Sequence, residues 1–88
     1  MRTDSRVRVN VRFYAAARAA AGAEDDSIDL PSGATVAELV EALREKGPEL
    51  AKVLARCSYL CDGVAVRDMA TELGDTQTVD VLPPFAGG

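Results

Sequence analysis

Val7, Val9, Val11 and Phe13 alternate with Arg6, Arg8, Asn10 and Arg12. A period of two puts the apolar set on one face and the basic set on the other, which predicts a strand lying over a core. The AAARAAA run at 15–21 follows, and its alanines with Gly22 behind them predict a short turn of helix. Asp26 to Leu30 reads as a second strand with Ile28 and Leu30 inward, and Pro31-Ser32-Gly33 as the turn that ends it. The strongest helical signal starts at Thr35. Thr35 and Glu38 have the spacing of a capping box, and Val36, Leu39, Val40 and Leu43 recur at helical intervals. Gly47 closes this helix, and Pro48 suits the first turn of a shorter one with Leu50, Val53 and Leu54 as its stripe.

Beyond Ser58 the period returns to two. Tyr59-Leu60-Cys61, Asp62-Gly63 and Val64-Ala65-Val66 predict a hairpin, and residues 67–73 a polar connection with room for one helical turn. Gly74-Asp75 then turns into a last strand at 78–82, with Val79 and Val81 inward and Asp80 and Leu82 outward. This order predicts an α+β fold, one mixed sheet packed on one main helix. A single domain is expected over residues 1–83, its first five residues a polar arm, with 84–88 an extended tail.

Composition narrows the chemistry. Eighty-eight residues support one domain with a small core and little room for an internal active-site cavity. There is no histidine, which removes the Ser-His-Asp triad, an imidazole base and an ordinary His-containing zinc site. No metal site is expected. Chemistry is left to carboxylates, to Cys57 and Cys61, or to the chain ends. The two cysteines are expected to be small buried hydrophobes, since in a strand they would stand about 13 Å apart, beyond disulfide reach. Charge is uneven: residues 1–23 sum to +4 and residues 24–88 to −8. An acidic chain with two lysines is a poor nucleic-acid binder and is steered toward basic partner surfaces instead. No apolar run approaches a membrane span and no signal peptide opens the chain, so the cytoplasm is the expected compartment.

The ending Pro83-Pro84-Phe85-Ala86-Gly87-Gly88 is the candidate site. Two prolines stop the last strand and stiffen the exit of the tail. Two terminal glycines would end about 0.5% of chains by chance, so a frayed end is the weaker explanation. Without Cβ atoms these residues can thread a narrow channel, and the Gly88 carboxylate becomes an unhindered acyl group for another enzyme to activate with ATP. A second feature concerns partners. Tyr14 and Leu82 fall on outward positions of the first and last strands; if these strands are neighbours, the two lie together on the outer sheet face near the root of the tail, where with Phe85 they would form an exposed apolar patch. The alternative is that Ala15–Ala21 or the tail covers both.

Val-Arg-Phe-Tyr-Ala-Ala-Ala-Arg (11–18), the helix from Thr35, the Leu73-Gly74-Asp75 turn and the ending Leu82-Pro83-Pro84-Phe85-Ala86-Gly87-Gly88 resemble the MoaD/ThiS sulfur-carrier family, in particular the small subunit of molybdopterin synthase. The resemblance covers residues 7–88 and implies a ubiquitin-like β-grasp fold. It implies that Gly88 is adenylated by a MoeB-like adenylyltransferase/sulfurtransferase and converted to a thiocarboxylate, with Gly87 needed for channel passage. The tail would then enter a MoaE-like large subunit and give sulfur to cyclic pyranopterin monophosphate, in an expected heterotetramer. The chain would have no catalytic machinery of its own and no permanently bound cofactor, the ATP being used by the activating enzyme. The family's hydrophobic contact positions fall on Tyr14, Val66 and Leu82. Phe85 departs from the smaller aliphatic residue familiar there, and Lys46 and Lys52 are expected on solvated helix surface. The related readings are a ThiS-type or cysteine-biosynthesis sulfur carrier, a ubiquitin-like protein modifier, and a bare interaction domain whose tail does nothing.

Overall fold

The computed structural model describes residues 6–84; the expected arm at 1–5 and the tail residues Phe85, Ala86, Gly87 and Gly88 lie outside the described residues. The alternating segment forms β1 (Arg6–Phe13), with Val9 and Val11 fully buried. The alanine run forms α1 (Ala15–Ala21), and Gly22 caps it at φ 74, a left-handed conformation that glycine adopts without a Cβ penalty. β2 (Asp25–Pro31) follows, one residue longer at each end than its pattern predicts. Next come α2 (Val36–Arg44) and α3 (Pro48–Leu54). The chain then forms β3 (Ser58–Cys61), β4 (Val64–Ala65) and β5 (Thr78–Leu82).

In α2 the capping box is complete. The Glu38 N–H donates to Thr35 Oγ1 at 3.3 Å, and Glu38 Oε1 accepts from the Thr35 N–H at 2.9 Å. Val36, Leu39 and Leu43 are buried from this helix, and Leu50 and Leu54 from α3. Two local expectations change. Gly47 does not close α2, which ends at Arg44 with Glu45 as its cap; it precedes Pro48 and opens α3. Residues 67–73 hold no helix but a connection with a turn at 68–71, where the Thr71 N–H donates to the Asp68 carbonyl at 3.0 Å, and an isolated bridge from Thr35 to Glu72; Leu73 is buried in the core.

The five strands form one mixed sheet in the order β2-β1-β5-β3-β4. β1 and β5 are parallel, with Val11 opposite Val79 and Phe13 opposite Val81, and the other pairs are antiparallel. A parallel pair needs a long crossover, and here it carries all three helices. Backbone bonds set the β5 register from both sides. The Arg8 N–H donates to Asp75 Oδ1 and the Thr76 N–H to the Arg8 carbonyl, both at 2.8 Å. On the other side Asp62 Oδ1 accepts from the Thr78 N–H at 2.9 Å, and the Asp62 N–H donates to the Thr78 carbonyl at 2.8 Å. Asp62 and Gly63, at φ 49 and 83, make the tight hairpin turn whose twist suits paired strands.

Leu39 is fully buried between helix and sheet, so Leu39→Ala removes apolar area and leaves a cavity. It is expected to lower unfolding stability by about 2–5 kcal/mol, read as a fall in the urea midpoint. Tyr59 gives a pH test. Its hydroxyl donates to the Leu54 carbonyl at 3.0 Å, and burial, with a smaller contribution from Cys57, pushes the phenol up to about 12. The folded state therefore favours the neutral phenol. That contribution is complete below the unfolded value near 10 and is lost as pH rises from about 10 toward 12. Thermal melts across that window should show a shallower decline for Tyr59→Phe than for the parent chain.

Candidate functional site at the root of the tail

The tail leaves the end of β5, a strand paired on both edges. Its root is therefore a fixed point: Leu82 and Pro83 are half-buried and Pro84 is exposed. Beside it the outer face of the sheet presents a cross-strand row of Arg12, Asp80, Leu60 and Ala65. The sequence pattern placed Asp80 outward, and so it is, but only 8% of it is exposed. A carboxylate in that position is costly without a partner. Arg12 supplies one from the adjacent strand: Nε donates to Oδ1 at 2.7 Å and Nη2 to Oδ2 at 3.2 Å. This two-pronged bond, and then the attraction between the charges, raises the Arg12 pKa above its ordinary value. The pair was missed by sequence reasoning, although both residues lie on outward positions of alternating strands.

Tyr14 follows Phe13, and Leu82 follows Val81, the last parallel pair, so the two residues stand at the same end of the sheet. Tyr14 is 37% exposed and shares a shallow depression of about 250 Å³ with Arg12 and Arg18. The alanine helix does not bury it. Ala15, at φ 50, sits in the left-handed region that non-glycine residues seldom occupy, at the corner where the chain leaves β1 for α1. Val66 is half-buried and packs against the core, its N–H donating to the Tyr59 carbonyl at 2.9 Å, while Val64 is the exposed large apolar residue of that hairpin. Leu60, half-buried beside Asp80, is the outer-face apolar residue on β3 that the strand's alternation could have marked. Phe85, Gly87 and Gly88 lie outside the described residues.

A groove of about 650 Å³ lies at the tail root, lined by Ala16 of α1, Lys52, Val53, Ala55 and Arg56 from α3 and its end, and Pro83 and Pro84. Lys46 is no free surface lysine: it is ion-paired with Asp26, and that bond lowers the Asp26 pKa. Cys57 and Cys61 are free thiols, both half-buried, and burial pushes both pKa values up. Cys57 Sγ donates to the Val53 carbonyl at 3.2 Å. Among the described residues no cluster of three His, Cys, Asp or Glu side chains could hold a metal ion, and no helix is long and apolar enough to cross a membrane.

A mixed five-stranded sheet with its helices in the crossover, ending in a tail from a central strand, defines a ubiquitin-like β-grasp domain. The chain belongs to the ThiS family, whose model matches residues 11–88. It is 28% identical over 83 residues to the molybdopterin synthase sulfur carrier subunit of Chlamydomonas reinhardtii, covering 93% of this chain and 100% of that one. Among solved structures it is similar to a Pyrococcus furiosus protein described as molybdopterin converting factor, subunit 1, with TM-score 0.82 and 29% identity over 90% of this chain and 99% of the other. The fold is also that of a chain from the complex of subunits 1 and 2 of the molybdopterin-converting factor of Helicobacter pylori, with TM-score 0.64 and 22% identity over 93% of this chain and 100% of that one.

Removing Arg12 leaves Asp80 shielded from water without its cation. Arg12→Ala is therefore expected to lower the thermal midpoint at pH 7, whereas Arg12→Ala with Asp80→Leu should recover much of the loss. Differential scanning calorimetry of the two variants distinguishes this coupling from simple loss of side-chain packing.

Proposed function

We propose that the protein is a sulfur carrier, the small subunit of a molybdopterin synthase, with the Gly88 carboxylate as its reacting group. The observation that carries this reading is the family match, which runs through residue 88 and so includes the Gly-Gly ending. The relative named as a molybdopterin synthase sulfur carrier subunit points to the pathway. The partners are a MoaE-like large subunit and a MoeB-like activating enzyme, and the subunit 1–subunit 2 complex of Helicobacter pylori is the precedent for the first.

The chemistry follows from the carboxylate. A Gly88 oxygen attacks the α-phosphorus of ATP on the activating enzyme, and pyrophosphate leaves. A sulfide-level sulfur nucleophile then attacks the acyl carbon, the bond to the AMP oxygen breaks, and AMP departs from a thiocarboxylate. Within the large subunit the thiocarboxylate sulfur bonds to the pterin precursor, and water then attacks the acyl carbon, the carbon–sulfur bond breaks with the sulfur left on the pterin, and the carboxylate returns. Every reactive side chain belongs to the partners, and this chain binds no permanent cofactor. Its own share is position: a root fixed by β5 and, on the outer face, Tyr14, Leu60 and Leu82 about the Arg12–Asp80 pair for a partner to cover. Free, half-buried cysteines accord with a reducing cytoplasm.

Incubation with the activating enzyme, ATP and a sulfur donor should replace one oxygen by sulfur at Gly88, read by mass spectrometry of the C-terminal peptide. An unchanged mass under conditions that sulfurate a known carrier would sink the assignment. Deletion of Gly88 should abolish sulfur transfer while leaving the urea midpoint unchanged, because the residue lies beyond the folded strands. Reconstitution with the large subunit and cyclic pyranopterin monophosphate then separates this pathway from thiazole or cysteine synthesis, which would yield no dithiolene.

A further inference from the structure

The groove between α1 and α3 differs electrostatically from the rest of the molecule. Net charge is −4, yet its lining carries Lys52 and Arg56 and no carboxylate. The other cations are largely spent within the fold. Arg8 pairs with Asp29, Arg12 with Asp80, Arg18 with Glu24, Arg44 with Glu41 and Lys46 with Asp26. Among the described residues Arg6, Lys52, Arg56 and Arg67 take part in no ion pair, and of these only Lys52 and Arg56 line the groove. They stand four residues apart on and just beyond α3, over a floor of Ala16, Val53 and Ala55. Two cations at a helix C-terminus also suit its dipole, but that accounts for neither the apolar floor nor the lack of a lining carboxylate.

Position completes the argument. Pro83 and Pro84 form a wall of the same groove, so a protein that closes over the tail meets the groove as it grips the root. We propose that this groove is a docking site for an acidic segment of the protein that receives the tail, its carboxylates pairing with Lys52 and Arg56 while one small apolar side chain rests on Ala16, Val53 and Ala55. The proposal rests on the sulfur-carrier reading. It adds a contact surface on the helical side of the root, separate from the outer sheet face with Tyr14, Leu60 and Leu82. The charge match is opposite in sign to that of the acidic body, so the two surfaces select a partner by different features.

The test is calorimetric titration of the cognate large subunit with the full chain, with Lys52→Glu/Arg56→Glu, and with the milder Lys52→Gln/Arg56→Gln. Both variants are checked by circular dichroism and urea midpoint; the glutamine pair keeps the test valid if charge reversal disturbs folding. At low ionic strength the glutamate pair is expected to bind about tenfold or more weakly and the glutamine pair by an intermediate factor, with both differences shrinking at high salt. Unchanged affinity in folded variants, or a loss equal at low and high salt, overturns the groove as an electrostatic dock. If instead the substitutions change self-association of the isolated chain in sedimentation, the occupant is a second copy and the proposal fails. If the parent chain does not bind the large subunit at all, the sulfur-carrier reading fails first and takes this proposal with it.

Discussion

β5 is held in register from both sides, and the position of the tail root depends on that. On one edge it runs parallel to β1, with Val79 and Val81 opposite Val11 and Phe13; on the other it pairs antiparallel with β3. Val79 and Val81 are fully buried, and the turns on either side are tied by Asp75 to β1 and by Asp62 to β5. A terminal strand at a sheet edge would fray with its neighbours' motions. A terminal strand between two others cannot move without breaking both ladders. The residues that follow Leu82 therefore start from a defined place and direction.

The same placement creates the problem that Arg12 solves. A central strand has no wet edge, and Asp80 stands in the middle of its outer face with little contact with water. Parallel pairing puts Arg12 directly beside it, and a guanidinium matches the two carboxylate oxygens in one plane. The pair leaves a polar centre flanked by Leu60, with Leu82 and Tyr14 toward the tail. A partner covering this face buries apolar area without meeting an unpaired charge, since the carboxylate is already satisfied. An apolar residue at position 80 would make the patch larger and stickier.

Legibility in the sequence followed the range of the interactions. The strands at 6–13 and 78–82 and the α2 cap were readable because alternation and capping are local patterns. Glycine and proline at 47 and 48 marked the break between two helices, although the glycine belongs to the start of the second. The Arg12–Asp80 and Lys46–Asp26 pairs were not readable, because each joins segments whose register only the folded sheet decides. Val64 and Val66 lie two positions apart and so share a face, yet Val64 is exposed at the sheet edge and Val66, just beyond β4, packs against the core, a difference that alternation does not carry. The 67–73 segment carried helix-compatible residues, but it makes a single turn at 68–71 and then bridges Glu72 to Thr35 and buries Leu73. The Gly-Gly ending was legible as a local motif, and the family match runs through it.

On the sulfur-carrier reading, an activated Gly88 is an electrophile attached to its own protein, and the choice of neighbouring side chains then has a physical meaning. Amines and thiolates are the groups that would capture an acyl-adenylate unproductively. Eight of the ten cationic residues are arginine, whose delocalised guanidinium stays protonated and does not attack. Of the two lysines, Lys46 is engaged by Asp26. Both thiols are half-buried and shifted toward the unreactive protonated form. Histidine, the other common nucleophile near neutral pH, is absent from the sequence. On that reading the same composition protects the activated group. Among the described residues Lys52 is the amine that lines the groove at the tail root, and an acidic partner segment seated there would hold it as a paired ammonium while the acyl group is active.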